Sequence, residues 1–283
     1  MVILYCPCPN FITHEQTLLP ANINIVFTTE DVSLLKYIFT TILLFIVSQV
    51  AFAQPILHVY GPGGPFPAMK AAAKVFSKKY HVDVVVQAGP LPKWKSAAMN
   101  DADLIYSGSE NMMTDYLGKL TDLVDAKTIM PAYLRPAAIL VHTGNPKHIR
   151  NFRDLLKPGI SVMVVQGAGQ TGLWEDIAGK NGNIQAIRNL RKNIVVYAPD
   201  SASALVHWTS KHAPDAWIIY NIWQVAHPKV AEMVKIGPRH ILYRDMDMSL
   251  TQSGRRKSDA IAFYHFVMSP EGATIFKRWG WQS

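Results

Sequence analysis

Cysteine is nearly absent: Cys6 and Cys8 are the two in 283 residues. Everything after them is therefore without disulfides, thiolate nucleophiles or cysteine-held zinc. The metalloprotease pattern H-E-x-x-H, the nucleophile elbow G-x-S-x-G and the Gly-Lys-Ser/Thr of a nucleoside-triphosphate loop are all missing, and the ten histidines are scattered without ligand spacing. These absences predict neither a metal nor a cofactor and argue against an enzyme. There is no internal repeat and no low-complexity tract. Acidic residues vanish between Asp31 and Asp83, a gap that suits a segment handed to a translocase.

Within that gap, Lys36 precedes the apolar run Ile42 to Val47, and Ala51 and Ala53 flank Phe52 before Gln54. This is the order of a secretory signal, with cleavage expected after Ala53; the run is short for a spanning helix of roughly 20 residues. Residues 1–53 are thus read as an upstream extension plus signal peptide, with translation expected to begin near Val32 to Leu35, and the destination is the periplasm. Both cysteines go with the extension, and no cysteine follows the cut to take a lipid. Its removal takes away Lys36 against Glu15, Glu30 and Asp31, so the net charge of +8 becomes +10. Anionic ligands or surfaces are the favoured partners. An exported protein rarely meets nucleic acid, and the cluster Arg255, Arg256, Lys257 reads as a solvated helix start.

With 49% hydrophobic and 17% charged residues, the chain is globular. Short runs rich in branched and aromatic residues predict strands at Ile56 to Tyr60, Val82 to Val86, Asp103 to Tyr106, Ala137 to Val141, Ser161 to Val165, Ile194 to Tyr197, Ala216 to Tyr220 and Ile241 to Tyr243. Helical patterns separate many of them, which predicts mostly parallel sheets covered on both faces. From Pro67 to Tyr80 the apolar residues Met69, Ala72, Ala73 and Phe76 share one stripe, with Lys70, Lys74 and Lys78 opposite. Two further helices, Ser258 to Met268 and Pro270 to Trp279, close the chain.

In such sheets ligands bind beyond the carboxyl ends of strands, where helix N-termini present free N–H groups and partial positive charge. Four post-strand loops fit: Gly61 to Pro67, Gly89 to Trp94, Ser107 to Glu110 and Gly167 to Thr171. The last spells G-x-G-x-x-G through Gly167, Gly169 and Gly172, the pattern of a dinucleotide site. Against an oxidoreductase, Asp200 lies too far beyond Gly172 for the ribose-binding acid, and export removes the protein from nicotinamide pools.

The runs Tyr60-Gly-Pro-Gly-Gly-Pro, Ala88-Gly-Pro-Leu-Pro-Lys-Trp94, Asp103-Leu-Ile-Tyr-Ser-Gly-Ser-Glu110, Leu134-Arg-Pro136, Gly144-Asn-Pro-Lys-His148, Leu173-Trp-Glu-Asp176 and Tyr220-Asn-Ile-Trp223 resemble the accessory colonization factor AcfC family, periplasmic binding proteins related to sulfate and molybdate receptors. The resemblance runs from about Ile56 to Trp281. It implies a type II periplasmic binding protein fold: two doubly wound α/β lobes, residues 54–139 plus 247–283 and residues 140–246, joined by two crossover segments, with a ligand cleft between them. It also implies ligand contacts at Gly63, Gly64, Lys93, Trp94, Ser107, Gly108, Ser109, Gly169, Gln170, Thr171, Ser201, Ser203, Tyr220 and Asn221. The implied function is capture of a small anion, an inorganic oxyanion or a phosphorylated or carboxylated metabolite, for a membrane transporter (ABC type) or a chemoreceptor. A homodimer stays open, as does the alternative of an exported adhesin acting through its surface.

Overall fold

The computed structural model describes residues 56–283; the signal-like segment through Ala53, its cleavage point and both cysteines lie outside them. Each half of the molecule begins with parallel strands. Strands β1 (Ile56–Gly61), β2 (Asp83–Ala88) and β3 (Leu104–Tyr106) alternate with helices α1 (Phe66–Tyr80), α2 (Leu91–Asp101) and α3 (Glu110–Lys119), and β1 pairs in parallel with both β2 and β3. Later in the chain, β5 (Val162–Val165), β6 (Ile194–Ala198) and β7 (Ala216–Tyr220) repeat the arrangement with β5 in the middle. Helices α4 (Leu173–Gly179), α5 (Ile184–Asn193) and α6 (Ser201–Trp208) accompany them.

Two long strands tie the halves together. β4 (Met130–Val141) runs antiparallel to β9 (Tyr243–Leu250) over Met130 to Pro136 and antiparallel to β7 over Ala137 to Val141. β9 also pairs with β3, and the short β8 (Glu232–Val234) adds to β4. The strand order is β2-β1-β3-β9-β4-β7-β5-β6. The sheets are thus parallel at their outer strands and antiparallel in the middle, a departure from the mostly parallel expectation. A short helix α7 (Ile222–Ala226) follows β7, and α8 (Ser258–Val267) and α9 (Pro270–Arg278) close the chain.

The helices start where the sequence supplies their caps. Pro65 and Pro67 open α1, whose buried stripe is Ala68, Met69, Ala72, Ala73 and Phe76. Phe76 meets the Phe263 ring of α8 edge-on with centroids 5.1 Å apart. Ser109 caps α3 by accepting from the Met112 N–H at 3.2 Å, and Asp200 caps α6 through the Ser203 N–H at 2.8 Å. These caps fix the loops at the strand ends, where the cleft forms.

Candidate ligand-binding cleft

The carboxyl ends of six strands border one cavity of about 320 Å³. One side comes from Pro62 to Pro65 after β1, Gly89 to Leu91 after β2 and Gly108 after β3; the other from Gly169 and Gln170 after β5, Pro199 to Ala202 after β6, and Tyr220, Ile222 and Trp223 at the end of β7. The sides come closest together at Gly169 and Gly108. A Cβ on Gly169 would stand 2.6 Å from the Gly108 carbonyl oxygen and 3.2 Å from Ser109 Oγ, so only glycine permits this approach.

Arg135, at the turnover point of β4, lies against this contact and is 3% exposed. Its Nη1 donates to the Asp245 carbonyl at 2.8 Å and its Nη2 to the Gly108 carbonyl. The guanidinium carbon sits 4.0 Å from the Tyr220 ring centroid and 4.8 Å from that of Trp281, while Nε has no partner. Burial pulls its proton affinity below the ordinary arginine value, yet guanidinium stays charged in proteins. Among the described residues no carboxylate stands within ion-pair distance of it. Opposite, Gln170 is 5% exposed; its Nε2 donates to Ser201 Oγ at 2.6 Å and its Oε1 is unpartnered. Lys119 and Asp115 also border the cavity and pair with each other at 2.8 Å.

Behind Arg135, carboxylate oxygens of Glu110, Asp245 and Asp247 lie within 4.8 Å of one another. Desolvation, with the nearby Asp245 and Glu110 charges and a hydrogen bond to Asp245, pushes the Asp247 carboxyl up to about 7, against the opposing pull of the Ser107 hydrogen bond. A proton held at Asp247 relieves the repulsion among carboxylates this close.

Of the residues the sequence singles out, Gly63, Gly64, Gly108, Gly169, Gln170, Ser201 and Tyr220 border the cavity; the others do not. Lys93 is exposed. Trp94 is buried against Tyr60 and Tyr116 and donates to the Gly89 carbonyl at 3.0 Å. Ser107 Oγ donates to Asp247 at 2.8 Å, Ser203 Oγ to Asp200 at 3.1 Å, and Asn221 Nδ2 to the Gly280 carbonyl at 2.7 Å. Tyr220 Oη donates to the Gly169 carbonyl at 2.8 Å, Ser109 serves as helix cap, and Thr171 is outside the lining. Several side chains read as ligand donors are thus engaged with the protein itself.

Sequence reasoning missed Arg135, Lys119 and Asp115. Arg135 lies in Met130 to Pro136, a stretch that no strand pattern marked, whereas Asp115 with Lys119 was visible as an i, i+4 pair on α3. Each glycine of the G-x-G-x-x-G pattern answers a local backbone demand, two by packing and one by conformation. A Cβ at Gly167 would stand 2.2 Å from the Pro199 carbonyl oxygen, Gly169 faces Gly108, and Gly172 has φ 75°. A three-residue 3-10 turn (Ala168–Gln170), not an α-helix, follows the first glycine, so the long helix start that a pyrophosphate needs is absent there.

Comparison with known structures finds Peb3 from Campylobacter jejuni at 33% identity and TM-score 0.75, over 80% of this chain and 99% of that one. A PEB3 structure with L-phospholactate bound matches at 32% identity and TM-score 0.76, over the same shares. The sulfate-binding protein SubI from Mycobacterium tuberculosis shares the fold at 17% identity and TM-score 0.65, over 81% and 86%. A search of curated protein sequences finds no match. These neighbours carry the type II periplasmic binding fold, and residues 57–282 match the family described as bacterial extracellular solute-binding protein. The chain belongs to that family.

Proposed function

We propose that this protein is a periplasmic receptor of the AcfC type that captures a small organic anion, phosphorylated or carboxylated, and delivers it to a transporter's membrane component or a chemoreceptor without transforming it. The observation that carries this reading is Arg135: a buried, permanently charged group on the cavity wall with no carboxylate paired to it. A buried cation without a direct partner is costly; Asp245 and Asp247 favour its charge only from beyond ion-pair distance, and an anion in the cavity would meet it directly. Size favours an organic anion over a bare oxyanion, because about 320 Å³ is the liquid volume of about ten waters. The L-phospholactate held by PEB3 is an anion of that kind.

Binding would close two bodies, residues 54–139 plus 247–283 and residues 140–246, about β4 and β9. The switch of β4 from β9 to β7 between Pro136 and Ala137 supports that division. Donors from both sides then surround the anion only in the closed state, which is the source of differential affinity.

A thermal melt of protein refolded free of ligand, against phosphate, sulfate, molybdate, phosphoglycerate, citrate and acidic amino acids, tests this. At about 1,000 times its dissociation constant a ligand adds about 4 kcal/mol, or roughly 8 to 16 °C for a chain of this size. A shift of that order from an organic anion is expected; no shift across the panel would count against anion capture.

A further inference from the structure

Gln170 faces the same cavity as Arg135 but asks for the opposite chemistry. Arg135 offers a charge and an unpartnered Nε–H, which call for an anionic oxygen. Gln170, 5% exposed and tied by its Nε2 to Ser201, leaves Oε1 without a donor. A buried carbonyl oxygen needs a proton, and neighbouring groups do not supply one: the Tyr220 hydroxyl is committed to the Gly169 carbonyl and the Arg135 Nη groups to backbone carbonyls. A fully ionised oxyanion set against Oε1 brings lone pairs to a lone pair. An anion with a hydroxyl of its own satisfies both residues.

Resting on the anion-receptor reading above, we propose that the cleft selects anions carrying a hydroxyl proton beside their charge, the P–OH of a phosphate monoester or the carbinol of a hydroxy acid, over fully ionised oxyanions, with Gln170 as the discriminating residue. A phosphate monoester keeps such a proton up to a second pKa of about 6, and an acceptor in the site holds it to higher pH. Sulfate and its esters have none at neutral pH.

The test is calorimetric titration with twins that differ in that proton: ethyl phosphate against ethyl sulfate, and malate against succinate. The hydroxyl-bearing twin is expected to bind roughly tenfold or more tightly, the consequence of leaving a buried acceptor unpaired. Gln170→Met is expected to collapse that ratio towards one, whereas a merely structural role would weaken both twins equally. The two proton sources separate by pH. Between pH 6 and 8.5 ethyl phosphate loses affinity relative to malate, which in the same buffers carries the correction for protein groups such as Asp247. A P–OH preference shows in the phosphate pair alone, a carbinol preference in the malate pair alone, and either supports the inference. Twins that bind alike, as expected of an amide turned to present its NH2, overturn it and leave the anion reading standing. If none of the four binds while an anion of the melting panel does, this inference falls alone; if neither set binds, the anion reading falls with it.

Discussion

Arg135 shows how a cation is kept charged at 3% exposure: two backbone carbonyls accept from it and two aromatic faces flank it. The carbonyls satisfy its donors, not its charge, which Asp245 and Asp247 offset only from a distance and a bound anion would meet directly. Arg135→Met separates these roles. Replacing a buried charge by an apolar side chain of similar length is often neutral for stability, and the two abandoned carbonyls oppose any gain by about 1–3 kcal/mol each. Melting is therefore expected to stay within several degrees of the parent. Anion affinity is expected to drop by about 2 kcal/mol or more, roughly thirtyfold. Calorimetry of both proteins against one anion decides it, and an unchanged affinity would remove Arg135 from the site. This residue was hard to read in sequence because its significance comes from pairing geometry, since β9 delivers the Asp245 carbonyl from 110 residues away. The serines divide: Asp247 and Asp200 engage the hydroxyls of Ser107 and Ser203, while Ser201 borders the cavity.

Among elements, β5 and β7 were legible because both their faces are buried and their sequences are continuously apolar, Val162 to Val165 and Ala216 to Tyr220, whereas the half-exposed edge strands β2 and β6 were legible through their branched residues. The two crossing strands were legible only in part, through Ala137 to Val141 and Ile241 to Tyr243. Pro131, Arg135 and Pro136 interrupt the first half of β4, and Arg244, Asp245 and Asp247 interrupt β9. Tertiary pairing between these strands overrides weak local preference. The loops that follow the strands were legible through their glycines, and Gly169 gives that reading a steric test. Gly169→Ala places a methyl 2.6 Å from the Gly108 carbonyl oxygen, so the two sides of the cleft are forced apart by an overpacking penalty of about 1–3 kcal/mol. Since the added methyl meets the loop at Gly108 and Ser109 and not the core, the variant is expected to fold with a nearly unchanged circular dichroism spectrum while small-angle scattering shows it more open and anion affinity falls five- to hundredfold. Parent-like affinity would mean that this contact does not accompany binding.

For the molecule as a whole, stability is linked to pH through the carboxylates behind the cleft. Asp247 lies on β9, where it bonds Ser107 from the end of β3 and faces Asp245 and Glu110. Its folded carboxyl holds a proton up to about 7, against an ordinary value of 3.8. Between those values the native state binds a proton that the unfolded chain has released, so stability falls as pH rises through the window and stays reduced above it. Asp247→Asn removes the ionisation while its amide oxygen still accepts from Ser107 and its NH2 takes the place of the proton facing Asp245. Near pH 4 parent and variant are expected to unfold at nearly the same denaturant concentration. At pH 8 the variant is expected to be the more stable, by on the order of a few kcal/mol, with the gap opening between about pH 4 and pH 7. Denaturant unfolding at four pH values across that range measures the gap directly. Parallel curves would place the Asp247 ionisation at its ordinary value and require some other account of three carboxylates lying so close together.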